Sequence, residues 1–539
     1  MDPKKQEILS TTVDSDLEKA STTSTNSKQN GDVENIKELN RSLSTRQVSM
    51  IAIAGVIGTG LYLGTGKSLA QGGPLSLLIT YSIMSLEVYL MMLALGEMSA
   101  YMPIAGSFCT FAKKFGSESL GFAILINYWL NDAVSVASDL TALQLVMKYW
   151  TDFHFWIVSL IFWVLLLFLN IFHVRFYGET EYWLALLKVL SIIAFFIVSI
   201  VVNVGHNEQH EYIGFKYWSM GDAPFVDGFK GFAKLFVTAS FALGGTESLT
   251  LTSGEMTNPV RSTRIITKTV FWRIVIFYIF SVFFIGMNVP YNYPNLLTKS
   301  VVTSPFTIVF QQAGSKSAGS FMNAVILTSV ISAGNHALYA GSRLAFTLGT
   351  EGYLPKILAR KNRFGIPYVA VLITWFAGGL CFGSSFIGAG DLWSWLQNLV
   401  GVSNQISWLC IGITSIRFRK GLAKQGRLHE LQYKNWTYPY GPWFVIIFTS
   451  IILLVQGWTS FAPWNVSDFF SFYLELFVFP VCLLFWWVFH RKDRFKKAQE
   501  MDFDTDRYIE SDEERELREK LDSLKGWAKV KRILQDFFL

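Results

Sequence analysis

The feature that most constrains this chain is the recurrence of apolar blocks about as long as a bilayer is thick. Crossing roughly 30 Å of hydrocarbon takes about 20 residues of helix. Blocks near that length begin near Met50, Leu75, Leu120, Phe155, Tyr182, Phe232, Val270, Phe321, Val369, Leu392, Trp443 and Phe469, about twelve spans in all. Charged residues make up only 16% of the 539, against roughly 25% in soluble proteins. The pattern predicts an all-α integral membrane protein and argues against a soluble enzyme. The third block, Leu120 to Tyr149, is long enough to require strong tilt.

The loops set the orientation. Lys113/Lys114, Arg175, Arg261/Arg264/Lys268, Lys356/Arg360/Lys361/Arg363 and Arg417/Arg419/Lys420/Lys424/Arg427/Lys434 fall in one set of loops. The other set holds scattered lysines such as Lys67, Lys216 and Lys299. Lys/Arg-rich short loops stay in the cytoplasm, so both termini are expected there. Residues 1–42 are polar and poor in aromatics, which predicts a disordered tail, and they contain no apolar signal segment. Residues 43–490 form the membrane domain, and 491–539 a charged cytoplasmic tail with Glu/Lys and Glu/Arg pairs at helical spacing from Glu510 to Leu524. That tail reads as solvated, with an amphipathic stretch on the inner leaflet as the alternative. The sequon at Asn465 lies close to a span. Cys109, Cys381, Cys410 and Cys482 form no metal-binding spacing, and His206 and His210 read as surface residues.

Function enters through glycine. The first span reads Ile53-Ala54-Gly55-Val56-Ile57-Gly58-Thr59-Gly60-Leu61-Tyr62-Leu63-Gly64, and its glycines weaken the helix at mid-membrane. Irregular backbone at that depth is tolerated only where it lines a protein cavity. Unwinding at Gly58-Thr59-Gly60 would present N–H groups at a half-helix N-terminus, where the dipole favours a carboxylate. By itself the pattern reads equally as a small-residue packing face, since Gly60 and Gly64 have G-x-x-x-G spacing. The sixth span repeats the break at Phe241-Ala242-Leu243-Gly244-Gly245-Thr246-Glu247-Ser248. Two broken segments five spans apart are what inverted five-helix repeats would produce, here about 48–204 and 231–416, with extra helices at about 443–490. Carbonyls freed in the second break can accept from an ammonium group.

These residues resemble a known family. The first span, Gly73-Pro74, Leu95-Gly96-Glu97-Met98, Gly245-Thr246-Glu247, Asn258-Pro259, Asn323-Ala324-Val325-Ile326-Leu327 and Ser342-Arg343 look like fungal amino acid permeases. That is the yeast amino acid transporter branch of the amino acid/polyamine/organocation superfamily, and the resemblance runs from about Leu43 to Lys492. It implies a leucine-transporter-type fold, two inverted five-helix repeats plus two C-terminal helices. It also implies plasma-membrane uptake of L-amino acids driven by the proton gradient, with no cofactor, metal or nucleic acid. Carried over by position, Ile57, Gly58, Thr59 and Gly60 would hold the substrate carboxylate. The Phe241 and Ala242 carbonyls would take the α-amino group beside Gly244, and Phe241 would help close the outer gate. The tail lysines Lys4, Lys5, Lys19, Lys28 and Lys37 would be ubiquitin acceptors, with ubiquitin-ligase adaptors as partners; an ordinary solvated tail explains them equally.

Proton coupling needs an ionisable group in a low-dielectric site. Lys188 interrupts the apolar fifth span, and in related proton-coupled carriers a lysine there replaces the cation of sodium-coupled relatives. Its alternative is a lysine snorkelling to the inner face. Glu247 is the second candidate, for coupling or for organising the break; Glu97 and Glu255 read as gate or helix-end acids. In the third span Asn131, Asp132, Ser135 and Asp139 put two carboxylates and a hydroxyl on one helical stripe. Intramembrane acids are costly unless paired or functional. In the resembling permeases this stretch lines the side-chain pocket, and glutamate usually stands where Asp139 falls. A negative wall favours lysine or arginine. The alternatives are a broad-specificity or other organic-cation permease, and a non-transporting sensor on the same fold.

Overall fold

The computed structural model describes residues 57–509 apart from 105, 152–153, 172–173, 249, 251–262, 264–266, 268, 297–302 and 462, together with 512, 515 and 516. Expectations about the N-terminal tail, Gly55, Glu255, Asn258-Pro259, Arg261, Arg264, Lys268 and Lys299 lie outside those residues, as does most of the Glu510 to Leu524 stretch. The main helices are α1 Gly60–Tyr101, α2 Ser107–Phe115, α3 Glu118–Met147, α4 Phe155–Ile171, α5 Val174–Asn203 and α6 Gly228–Leu243. They continue with α7 Thr269–Asn288, α8 Pro305–Gln312, α9 Lys316–Thr350, α10 Tyr368–Ile387, α11 Ala389–Lys424, α12 Tyr440–Val455 and α13 Val466–Phe489. Among the described residues no strand forms beyond one isolated bridge, Phe461 with Trp464. All-helical structure is what hydrocarbon demands, because each helix satisfies its own backbone polar groups.

Every expected block from Leu75 onward coincides with a helix. Nine helices among the described residues are long and apolar enough to cross a bilayer, while α4 and α6, at 17 and 16 residues, are shorter. Two expected blocks share the bent element α1. Its bend is at Gly73, with φ 79° and ψ 174°, immediately before Pro74. A Cβ there would stand 2.7 Å from the Pro224 carbonyl oxygen, so sterics as well as the positive φ require glycine. The Pro224 carbonyl accepts from Leu75 N, and Val226 N donates to the Gly72 carbonyl, so the loop entering α6 completes the hydrogen bonding at the bend.

Helix α3 packs most widely on α9 and α11, and α1 on α6. In the expected repeats, α1 and α6 hold equivalent places, as do α3 and α9. The outer helices α10, α12 and α13 leave Phe376, Phe386, Leu454 and Phe489 exposed, an apolar perimeter suited to lipid.

Charged loops converge at the end expected to face the cytoplasm. Lys113 pairs with Glu351 at 2.6 Å. Arg419 makes two bonds to the buried Glu97, of 2.8 and 2.5 Å, and Asn435 N adds a third at 2.8 Å. Glu97 therefore joins α1 to α11. The segment after α13 departs from the solvated tail expected for it. Residues 493–508 form a strap across this end. Asp493 accepts from the N–H groups of Glu118 and Ser119, Lys496 N donates to the Gly116 carbonyl, and Tyr508 N donates to the Tyr101 carbonyl. Phe503 is fully buried among the rings of Tyr101, Phe115 and Phe418. Met501 and Phe503 both press on Gly421 of α11. The surrounding ion pairs are Lys114–Asp506, Arg427–Asp504 and Arg507–Glu430. Apolar area carries the contact, because the paired groups are partly solvated and contribute little each.

Lys67, expected in an outer loop, is a further correction. Helix α1 extends through it, and the buried ammonium donates to Gln397 Oε1 at 3.0 Å.

Candidate functional site

The start of one helix and the end of another meet in the core. Ile57 and Gly58 are non-helical, and α1 opens at Gly60 with a widened π-type turn, Gly60–Gly64. Leu61 N and Tyr62 N both donate to the Gly58 carbonyl at 3.2 Å. The N–H groups just ahead of them lie at a helix start, where no intrahelical acceptor exists. Opposite, α6 ends at Leu243, Gly244 turns out of the helix, and Gly245 takes a positive φ of 78°. A Cβ on Gly60 would lie 2.4 Å from Ala242 Cα, and one on Gly58 2.7 Å from Ala333 Cβ of α9. These glycines let α6 and α9 close on the start of α1, the close approach that the packing reading of the motif expects.

Neighbouring helices fix the broken strands. Ser329 of α9 donates to the Ile57 carbonyl at 3.1 Å. Asn404 of α11 donates to the Ser240 carbonyl and packs where a Gly244 side chain would be. Asn131 of α3 donates to Asn404 Oδ1 at 2.8 Å and to the Val400 carbonyl. Thr246 Oγ1 donates to the Leu243 carbonyl and accepts from Arg273 Nη2 at 2.6 Å. Glu247 is fully buried and accepts from the Tyr128 hydroxyl at 3.0 Å.

The third-span acids face the α3–α9 seam. Thr59 Oγ1 donates to Asp139 Oδ1 at 2.7 Å. Asp139 Cβ lies against Gly334, and Asp132 Cβ against Gly341, seven residues further along α9 in the opposite sense. The acids share a stripe as expected, but only Asp139 reaches the first break; Asp132 sits two turns away, beside Thr374 of α10 as well. Ser135, between them, is half-buried. Of the second-break residues, Ala242 is buried, while Phe241 and Gly244 are half-buried.

Lys188 is 1% exposed and lies midway along the 30-residue α5, which rules out the snorkelling alternative. Its Nζ donates to Ser332 Oγ of α9 at 2.8 Å. Ser332 in turn donates to Glu181 Oε2 at 2.6 Å, and Asn335 Nδ2 donates to Glu181 Oε1 at 2.9 Å. His336 Nε2 lies 3.0 Å from Ser248 Oγ. Sequence reasoning missed Glu181, Arg273, Asn404 and the polar face of α9. Arg273 carried a signal, a lone arginine inside an apolar block. Glu181 did too, seven residues before Lys188 and so on the same face.

The arrangement sets the backbone of Ile57 to Gly60 and the Asp139 carboxyl opposite the end of α6. The described residues contain no cluster of three or more His, Cys, Asp or Glu fit for a metal.

Comparisons with known proteins bear on the family and the fold. A family model described as amino acid permease matches residues 47–500. The chain is 43% identical to a probable amino-acid permease of Schizosaccharomyces pombe, over 87% of this chain and 96% of that one. It is 39% identical to the lysine-specific permease LysP of Escherichia coli, over 86% and 96%. To the proline-specific permease of Emericella nidulans it is 37% identical, over 92% and 94%. Among solved structures, the manganese transporter of Eremococcus coleocola aligns with a TM-score of 0.50 at 14% identity, over 85% of this chain and 99% of that one. At that identity the likeness concerns the fold alone.

Proposed function

The chain belongs to the amino acid permease family, and on that premise we propose that it is a proton-coupled symporter importing cationic L-amino acids, lysine and arginine first. A multi-pass membrane transporter of amino acids, rather than an enzyme, is already given by the family and the helices. Relatives of similar identity are named for lysine and for proline, so membership alone does not choose the side chain.

The observation that carries the choice is the Thr59–Asp139 hydrogen bond, which puts a carboxylate at the first break. A substrate ammonium or guanidinium that replaces the Thr59 hydroxyl exchanges a neutral donor for a charged one, roughly doubling the strength of the bond. An apolar side chain leaves the buried acid without that compensation. In this reading the segments 48–204 and 231–416 each supply one break. Ile57 to Gly60 hold the substrate carboxylate, the Phe241 and Ala242 carbonyls hold the amine beside Gly244, and Asn131 and Ser135 line the pocket. Phe241 closes the outer side. Lys188 carries the proton, and Glu247 holds the second break. The proton gradient supplies the drive, with no cofactor. The carrier works in the plasma membrane with both termini in the cytoplasm, where tail lysines take ubiquitin from ligase adaptors.

Radiolabelled uptake in cells lacking their own permeases tests this. Lysine accumulation abolished by a protonophore and competed by arginine is the expected result. Indifference to the protonophore would overturn the coupling, and a preference for neutral amino acids would overturn the specificity.

A further inference from the structure

We propose that Glu181 is the positioning residue for the proton on Lys188, acting through Ser332, and that α9 links this group to the broken first span. The inference rests on the proposed coupling role of Lys188 and adds the residues that hold it.

A serine hydroxyl has one proton to give. Here Ser332 gives it to Glu181 Oε2, so the lone pair of Ser332 faces the Lys188 ammonium. Both oxygens of Glu181 accept, one from Ser332 and one from Asn335, whose own Oδ1 accepts from Asn170 Nδ2 at 2.8 Å. A carboxyl that only accepts is bonded as an ionised carboxylate is. Glu181, Ser332 and Asn335 are as deeply buried as Lys188. Removing one member of such a dry charge pair leaves the other uncompensated, which is far more costly than losing an exposed pair.

Among the described residues, charged and titratable groups facing Lys188 include Glu181 of its own α5, Asp139 of α3 and His336 of α9. Tyr62 of α1 approaches by way of Ser191, which itself bonds the Lys188 carbonyl. Glu181 is joined to Lys188 through the hydroxyl of Ser332, which belongs to another helix. The same face of α9 carries Ser329, which holds the Ile57 carbonyl, and Ala333, which packs on Gly58. Displacement of the first break against α9 therefore also displaces Ser332. With Ser332 seated, the ammonium keeps its acceptor and its anion. With Ser332 withdrawn, the Nζ–H bond can break and water entering the opened side takes the proton. A neutral amine then remains, with Glu181 still held by Asn335.

The test uses the full chain in proteoliposomes and compares Glu181→Gln, Glu181→Asp and Ser332→Ala with the wild type. Glu181→Gln should keep lysine exchange, which needs no net proton movement, with KM within about twofold. Its accumulation driven by a pH gradient should fall about tenfold or more, the equivalent of one pK unit. The pH profile of net uptake should move toward acid. Glu181→Asp, which keeps the charge, should recover part of the accumulation. Ser332→Ala should reproduce the uncoupling. Glu181→Gln accumulating like the wild type with an unmoved pH profile would overturn the proposal, as would joint loss of exchange and accumulation that Glu181→Asp does not relieve. Wild-type uptake that ignores the gradient would instead overturn the coupling reading on which the proposal stands.

Discussion

Thr59 and Asp139, eighty residues apart in the chain, are joined by a 2.7 Å hydrogen bond at the opening turn of the first broken span. The bond ties the backbone expected to hold a substrate's carboxylate to the group expected to read its side chain. On the proposed reading, selectivity and main-chain recognition share one local geometry.

Replacing Asp139 should separate them. Asp139→Asn keeps the shape and removes the charge, so the KM for lysine should rise about 10- to 100-fold, the worth of a hydrogen bond to a charged group. Uptake of neutral amino acids should be unchanged or improved. Competition assays with lysine, arginine and leucine measure this directly.

Gly58 offers a test that a pocket model alone would not suggest. A Cβ at Gly58 meets the Ala333 methyl at 2.7 Å, so Gly58→Ala should overpack the seam by about 1–3 kcal/mol and lower uptake. Adding Ala333→Gly removes the opposing methyl and should restore much of it. Gly60→Ala meets the α6 backbone at Ala242 instead, and no single side-chain deletion should rescue it. Uptake normalised to surface expression distinguishes the three.

The strap over the expected cytoplasmic end has its own signature. Phe503→Ala deletes its buried anchor, a change that costs about 3–5 kcal/mol in a well-packed core. Proteolysis within residues 490–509 should then accelerate sharply in inside-out vesicles. The attachment should resist pH. Partial burial works against the Asp502 carboxylate, but bonds from Thr505 and the Asp504 N–H hold it down at about 2. Glu430, opposed by desolvation in the same way, is also held below its usual range, chiefly by Tyr101 and Arg427. Those bonds do not cross the docking contact, but the Asp504 carboxylate is held below its usual range by its bond to Arg427, which does. A carboxylate depressed on docking contributes stability above its free value near 4, and that contribution is lost as pH falls through the docked value. Strap protection should therefore stay flat from about pH 8 to 5 and decline only below about 4.

Much of the helical architecture was legible because block length is a physical requirement of the bilayer. The start of α1 at Gly58–Gly60 and the end of α6 before Gly244 fall on the glycines that the sequence marked, because glycine weakens a helix. Lys188 showed as a charge where none is cheap. Glu181 carried the same kind of signal but escaped notice, because the apolar block reads from Tyr182 while α5 winds on from Val174. The acids of α3 were visible as a stripe, yet their seats at Gly334 and Gly341 depend on which helix lies opposite. Local periodicity carries no such information. Ser329, Ser332 and Asn335 look like ordinary small polar residues until α9 is laid against α1 and α5. Lys67 read as loop because glycines surround it, and Phe503 as tail because charges do.

Phe503 follows every spanning helix among the described residues, yet its pocket is built from Tyr101, Phe115 and Phe418. A ribosome delivers those three rings well before it delivers the residue that covers them. The end expected to face the cytoplasm therefore stays unfinished while the described spans are made and is completed only by the segment behind α13. Truncation within 493–508 would leave every span intact while exposing an aromatic pocket, a state that quality-control factors can recognise as incomplete.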